Sequence, residues 1–118
     1  YYAAWLAEQF NCRAVLINPA VAAHELLADY LGDHINPYSN EHFTLEQSHL
    51  SVLQKLDINT TKPADLKVML QTDDETLDYR RAVTKYTSTH LLVEQGGDHS
   101  FQGYANHLPD IIRFLLNR

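Results

Sequence analysis

Short apolar runs alternate with longer amphipathic stretches along the chain, and this pattern predicts buried strands alternating with helices. Apolar runs of the kind buried on both faces of a parallel sheet occupy residues 14–17, 66–71 and 91–94. Helical spacing of apolar residues occupies residues 2–10, 24–31, 44–56, 79–86 and a final stretch that begins near Asn106. The order of these elements favours an α/β fold, with right-handed crossovers and helices on both faces of a parallel sheet.

Local signals set the expected ends of these elements. Asn18-Pro19 should end the first strand, because proline cannot donate to a strand ladder. Gly32 should end the second helix, and residues 33–43 form a polar stretch with a turn at Asn36-Pro37. Thr44 with Gln47 matches a capping box for the next helix, and Pro109 suits the first turn of the last one.

The helical spacing also predicts which side chains are buried. In the helix over residues 44–56, the predicted inner face comprises Leu45, His49, Val52, Leu53 and Leu56. In the last helix, the predicted buried residues are Leu108, Ile111, Ile112 and Leu115.

Composition and charge limit the classes of partner. The chain has 118 residues and a formal net charge of −6, and its nine Lys and Arg residues are scattered, so nucleic acid and anionic membranes are not expected partners. The single cysteine, Cys12, cannot form an internal disulfide and would be a buried apolar filler. No apolar run approaches the roughly 20 residues that span a bilayer. These features favour one domain over residues 1–118 in a cytoplasmic protein.

Two polar clusters follow neighbouring predicted strands. Asp73-Asp74-Glu75 follows the second strand and Asp98-His99-Ser100 follows the third, so both clusters should lie at the carboxyl edge of the sheet, where ligands collect. A carboxylate there could orient a histidine that acts as a general base. Two alternatives remain open from the residues alone. The acidic cluster could cap a helix and Gly96-Gly97-Asp98-His99 could be only a turn, or Asp73, Asp74, Asp98 and His99 could hold a divalent metal.

Several segments together resemble the YqiA-like esterases of the α/β-hydrolase superfamily. They are Tyr1-Tyr2-Ala3-Ala4-Trp5-Leu6, Asn18-Pro19-Ala20-Val21, residues 25–32, Asn36-Pro37-Tyr38, residues 74–80 and Gly96-Gly97-Asp98-His99-Ser100-Phe101. The resemblance implies that the chain is the C-terminal portion of an α/β-hydrolase domain. In that family a Gly-x-Ser-x-Gly-Gly nucleophile elbow directly precedes Tyr-Tyr-Ala, so the nucleophilic serine is expected upstream of Tyr1.

The same resemblance implies the roles of two residues and the reaction. Asp74 would be the triad acid and His99 the base, and the full-length protein would hydrolyse short acyl esters or thioesters, with acyl-CoA as one such substrate, without a metal or cofactor. One position departs from the family pattern, because Asp73 stands where the family usually has glycine. The match favours Asp74 over Asp73, and Asp78 should face away from His99.

Further expectations concern the surroundings of the site. Residues 20–63 lie between two predicted strands and are partly amphipathic, which predicts a cap over an acyl pocket with Leu27, Tyr30, Tyr38 and Phe43 as candidate lining. The alternative for each of these residues is ordinary core packing by two surface helices. The serines of the chain lack an elbow and are not expected to be nucleophiles. An alternative function is a non-catalytic binding domain on a hydrolase scaffold. Finally, the strand over residues 14–17 should be an edge strand, covered by an upstream segment or by a second copy in a homo-oligomer.

Overall fold

A computed structural model describes residues 1–117 and divides them into two compact units, one formed by Tyr1–Val21 with the chain from Ile58 onward, the other by Ala22–Asp57. The elements of the first unit are, in chain order, α1 (Tyr2–Phe10), β1 (Ala14–Ile17), a 3₁₀ turn (Pro63–Asp65), β4 (Leu66–Gln71), α4 (Tyr79–Lys85), β5 (His90–Glu94), a 3₁₀ turn (Tyr104–His107) and α5 (Leu108–Leu116). Those of the second are α2 (Ala23–Leu26), a 3₁₀ turn (Ala28–Tyr30), β2 (Gly32–Ile35), β3 (His42–Leu45) and α3 (Gln47–Leu56).

The first unit contains a parallel sheet in the order β1-β4-β5, as the apolar runs predicted. Its central strand alternates between two faces. Leu66, Val68 and Leu70 pack on one side with residues of α1 and α4, and Met69 packs on the other with Phe101 and Ile111. Helices therefore cover both faces, and the predicted α/β fold is confirmed.

The central strand carries the largest fully buried side chains of the described residues, Leu66, Val68, Met69 and Leu70. Val68 and Met69 are fully buried, and burial of each such side chain stabilises the fold by roughly 1.5–3 kcal/mol. A parallel strand covered on both faces can be apolar throughout, because successive side chains point to opposite faces of the sheet and each face is covered by helices. The strand ends at Gln71, where the polar residues of the site begin.

The second unit pairs a β-hairpin with helices. β2 and β3 are antiparallel, with Gly32 opposite Leu45 and Ile35 opposite His42. The connecting turn is organised by Asn36, whose side-chain oxygen accepts hydrogen bonds from the amides of Tyr38 and Ser39. The helix α3 buries Leu50 within this described part of the chain.

Two expectations about this segment were wrong. The helix over residues 24–31 is reduced to α2 and a 3₁₀ turn, and Gly32, with a φ of 119°, begins β2 instead of ending a helix. The polar stretch over residues 33–43 contributes to both hairpin strands. An exposed hairpin needs little apolar content, so its residues did not show the alternation that predicts a strand.

The predicted start of α3 was also wrong. Thr44 lies in β3, and the capping box is formed by Glu46 and His49, whose Nδ1 accepts a hydrogen bond from the Glu46 amide at 2.9 Å. His49 is therefore an exposed capping residue and does not belong to the buried face. Val52 is likewise exposed, and Leu50 is the buried residue of this helix.

Exposure corrects two further expectations in the first unit. In α5 only Ile111 is buried, whereas Leu108, Ile112 and Leu115 are exposed, because three strands offer too small a face to cover the whole apolar stripe of the helix. Cys12 is exposed rather than a buried filler. Within residues 1–117, no helix has the length and apolar character that crossing a bilayer requires.

Candidate active site

The loops after β4 and β5 leave the same edge of the sheet and are joined by backbone hydrogen bonds. Gln71 and Glu94 are register partners at the ends of the two strands. Beyond them, the amide of Thr72 donates to the carbonyl of Glu94, and the amide of Asp73 donates to the carbonyl of Gly96. Parallel pairing therefore brings the two polar loops side by side.

Asp74 and His99 contact each other across these loops. Nδ1 of His99 lies 2.9 Å from Oδ2 of Asp74 and 3.1 Å from Oδ1. An ionised carboxylate can only accept, so Nδ1 carries the proton and Nε2 of the neutral ring is left as the basic nitrogen. No hydrogen bond to Nε2 occurs within residues 1–117, and the His99 side chain is 39% exposed. The imidazole can therefore accept a proton from a group that reaches Nε2.

The Asp74 carboxylate is held in place and in its charged form. Its side chain is only 2% exposed, and its Oδ1 accepts hydrogen bonds from the amides of Thr76 and Leu77, each at 2.9 Å. Burial raises the pKa of Asp74, but the hydrogen bonds from His99, Leu77 and Thr76 outweigh burial and lower this pKa below its ordinary value. Asp74 therefore has a nearly buried carboxylate that stays ionised at neutral pH.

The neighbouring acidic residues have other contacts. Asp73 is exposed, and Asp78 caps α4 by accepting a hydrogen bond from the amide of Arg80 while pairing with its guanidinium. Neither contacts His99 in the described structure. Glu75, a member of the predicted polar cluster to which the sequence gave no individual role, accepts a hydrogen bond from the backbone amide of His99 at 3.0 Å.

Two buried amide side chains lie at this edge of the sheet, and the sequence did not predict their place in the site. Asn18 follows β1, and Gln71 ends β4, and both are 4% exposed. Both hydrogen-bond to the loop that carries His99. A polar residue at the end of an otherwise apolar strand was the available signal for each of them.

The contacts of the other candidate residues give less support to a metal site or to a second histidine or serine site. Within residues 1–117, no three His, Cys, Asp or Glu side chains converge as metal ligands would, so the metal alternative for Asp73, Asp74, Asp98 and His99 lacks a ligand set. Among the other histidines, His107 pairs with Glu94, with its Nε2 lying 3.1 Å from Oε2. No serine of the described residues hydrogen-bonds to His99.

Two pockets lie near the predicted residues, one in each unit. A pocket of about 440 Å³ is lined by the residues after β4, including Asp74 and Glu75. Within the Ala22–Asp57 unit, a pocket of about 360 Å³ is lined by Leu27, Tyr30, His34, Phe43 and Leu45. Three of the four candidate lining residues border that second pocket, whereas Tyr38 is 97% exposed at the hairpin turn.

Comparisons with known proteins agree with this fold. The family described as "Uncharacterised protein family (UPF0227)" matches residues 1–116. The crystal structure of a "Putative hydrolase" from Agrobacterium vitis S4 is similar to this chain with a TM-score of 0.60 and 15% sequence identity, over 95% of this chain and 57% of that one. This chain thus spans little more than half the length of that protein. The family match confirms the resemblance to the YqiA-like esterases, and the structural match supports an α/β-hydrolase fold.

Proposed function

We propose that this chain, which belongs to the uncharacterised protein family UPF0227, supplies the acid and the base of a serine hydrolase that cleaves carboxylic esters or thioesters. Asp74 is the acid, His99 is the base, and the nucleophilic serine lies upstream of Tyr1. The substrates are esters or thioesters of short acyl groups, including acyl-CoA.

The hydrogen bond between His99 and Asp74 is the observation that carries this proposal. It joins a nearly buried carboxylate to a partly exposed imidazole at 2.9 Å, and it leaves the basic nitrogen of the ring available. A structural ion pair would gain nothing from exposing one ring nitrogen, whereas a general base needs that exposure. The carboxyl edge of a parallel sheet is also where ligands of this fold class bind.

The proposed reaction proceeds in two acyl-transfer steps. His99 Nε2 accepts the proton of the serine hydroxyl as the serine oxygen attacks the carbonyl carbon of the substrate. Asp74 stabilises the imidazolium that forms, and His99 then protonates the departing alcohol or thiol. In the second step, His99 removes a proton from the water that attacks the acyl-enzyme, and it returns this proton to the serine oxygen as the acid is released.

The acyl group of the substrate needs an apolar binding surface. We assign this role to a cap formed by residues 20–63, because the pocket within the Ala22–Asp57 unit is lined mainly by apolar and aromatic side chains. Leu27, Tyr30 and Phe43 are the candidate lining residues from the sequence that border this pocket. The proposed reaction requires no metal or cofactor.

A fluorophosphonate probe tests the assignment of the nucleophile. The chain from Tyr1 to Arg118 should stay unlabelled, because the proposed serine and the oxyanion-hole amides lie upstream. The full-length protein should acquire one adduct, on a serine upstream of Tyr1. Stoichiometric labelling of a serine within residues 1–118 would contradict the assignment. A full-length protein without any reactive serine would instead favour the alternative, a non-catalytic binding domain on the same scaffold.

A further inference from the structure

Two buried amide side chains, Asn18 and Gln71, hold the loop that carries His99. We call this pair the amide clamp. Gln71 ends β4, Asn18 directly follows the neighbouring strand β1, and neither hydrogen-bonds to the imidazole of His99 or to the carboxylate of Asp74 within the described residues. Their role must therefore be exerted through the backbone of the loop.

Asn18 contacts the loop beside the proposed base itself. Its Nδ2 donates hydrogen bonds to the carbonyl of Asp98 at 3.0 Å and to the carbonyl of His99 at 2.9 Å. Its Oδ1 accepts from the backbone amide of Gln71 at 3.1 Å. The backbone of Asn18 is left-handed, with a φ of 43°, a conformation that asparagine tolerates better than most residues. One side chain thus ties together β1, β4 and His99.

Gln71 holds the same loop from the next strand. Its Oε1 accepts hydrogen bonds from the amides of Asp98 at 3.1 Å and Gln102 at 2.8 Å. Its Nε2 donates to the carbonyl of Gln102 at 2.7 Å and to Oε1 of Glu94 at 3.1 Å. All the hydrogen-bonding groups of this buried side chain have partners, as a stable buried amide requires.

The loop around His99 has a shape that depends on this support. Gly97 packs so closely on Gln71 that an added Cβ would lie 1.8 Å from its Oε1. Phe101 has a φ of 66° although it is an aromatic residue and 3% exposed. A left-handed aromatic residue is uncommon and persists only where the surroundings determine its conformation. The clamp supplies such surroundings on the sheet side of the loop.

We infer that Asn18 and Gln71 are positioning residues for His99, an inference that rests on the hydrolase function proposed above. Fixing the carbonyls at 98 and 99 and the amides at 98 and 102 fixes the Cα of His99. The imidazole can then hold Asp74 with one nitrogen and meet the serine with the other. Catalytic groups must be held within a fraction of an ångström, and a displacement of about 1 Å costs roughly 10²-fold in rate.

The test uses the full-length protein with the variant Asn18→Asp. This substitution preserves size and the acceptor for the Gln71 amide, but a carboxylate cannot donate to the carbonyls of Asp98 and His99. For an ester such as p-nitrophenyl acetate, kcat should fall by roughly 10- to 100-fold while KM changes by less than about 3-fold. Asn18→Gly and Gln71→Met, which introduce no charge, should reduce kcat in the same direction.

Val68→Ala is the matched control, because it removes buried atoms from β4 without touching the loop. It should lower the free energy of unfolding but leave kcat within about 2-fold of the wild-type value. If the clamp variants lose no more kcat than Val68→Ala at equal loss of stability, the positioning role is wrong.

A second readout separates this inference from the proposed function. In the proton NMR spectrum, the Nδ1 proton of His99 should give a low-field resonance in the wild-type protein, and this signal should shift or broaden in Asn18→Asp and Gln71→Met. If the wild-type protein hydrolyses no ester, the proposed function fails, and this signal alone still tests the clamp. A resonance that is unchanged in both clamp variants would overturn the inference.

Discussion

Asp73 and Asp74 are adjacent carboxylates with opposite surroundings. Asp73 is exposed, whereas Asp74 is nearly buried and accepts hydrogen bonds from His99, Thr76 and Leu77. The family pattern favoured Asp74 on the basis of the sequence, and the structure places that residue against His99. Its catalytic role stays a proposal that substitution can test.

Asp74→Asn should reduce kcat for ester hydrolysis by the full-length protein by roughly 10³- to 10⁴-fold. An asparagine amide facing Nδ1 favours the wrong tautomer of His99 and cannot stabilise the imidazolium. Asp73→Asn removes the neighbouring charge and is the matched control, expected to retain kcat within about 2-fold. Equal losses in both variants would mean that the acid has been misassigned.

The lowered pKa of Asp74 also predicts how stability depends on pH. Because its pKa in the folded state lies below the ordinary value of 3.8, the ionised carboxylate contributes stability above that pH. The contribution is lost as the pH falls through the lower folded-state pKa. Chemical denaturation should therefore show that the stability difference between the wild-type protein and Asp74→Asn narrows as the pH falls from about 5 to about 2. A difference that widens over this range would contradict the assigned direction.

At the scale of elements, the loop between β5 and α5 offers a pair of glycines for comparison. Gly97→Ala should destabilise the full-length protein by roughly 2–4 kcal/mol, because the new Cβ meets Gln71 and the φ of 75° strains an L-residue. Gly96 has a φ of 86° and nothing within 4 Å of the added Cβ, so Gly96→Ala should cost only about 1 kcal/mol. Urea denaturation measures both, and equal costs would show that the contact with Gln71 is unimportant.

The predictability of each element followed the strength of its burial. The buried strands β1, β4 and β5 were predicted almost to the residue, because parallel strands with two covered faces are continuously apolar. The exposed hairpin β2–β3 was missed, since its pairing depends on backbone hydrogen bonds and on the Asn36 turn rather than on apolar alternation.

The site was predictable to a different extent. The sequence identified the proposed acid and base, because both follow strands that end at one edge and both belong to family motifs. It did not predict the contacts of Asn18, Gln71 and Glu75 with the His99 loop, since these contacts join segments far apart in the chain. Contacts of this kind depend on the strand order and register, which local patterns do not determine.

The described structure leaves one edge of the parallel sheet unpaired and several large apolar side chains exposed. Among the described residues, β1 pairs only with β4 and forms an edge of the sheet. Phe10 of α1 and Ile112 and Leu116 of α5 are more than half exposed. Unpaired amides and carbonyls on an apolar edge strand favour association. We propose that an upstream segment or a second copy covers this edge.

Sedimentation and hydrogen exchange can test whether an upstream segment or a second copy covers the edge of β1. In isolation, the chain of residues 1–118 should associate, and the full-length protein should protect the amides of residues 14–17 from exchange. A monodisperse monomer of residues 1–118 with rapidly exchanging amides in β1 would contradict the proposal. Comparison with a variant that carries a lysine on the edge strand, Ile17→Lys, should show reduced association, because a charge on an edge strand opposes pairing.

The proposed role of His99 as the general base of an ester hydrolase can be tested by the hydrolysis rate of p-nitrophenyl acetate for the full-length protein and its His99→Ala variant. His90→Ala serves as the control, because His90 begins β5, at the end of the strand away from the site. We expect His99→Ala to lower kcat/KM by at least about 10³-fold, added imidazole to restore part of this loss, and His90→Ala to change kcat/KM by less than about 3-fold. A His99→Ala variant that hydrolyses the ester at the wild-type rate would contradict the role of His99 as the general base.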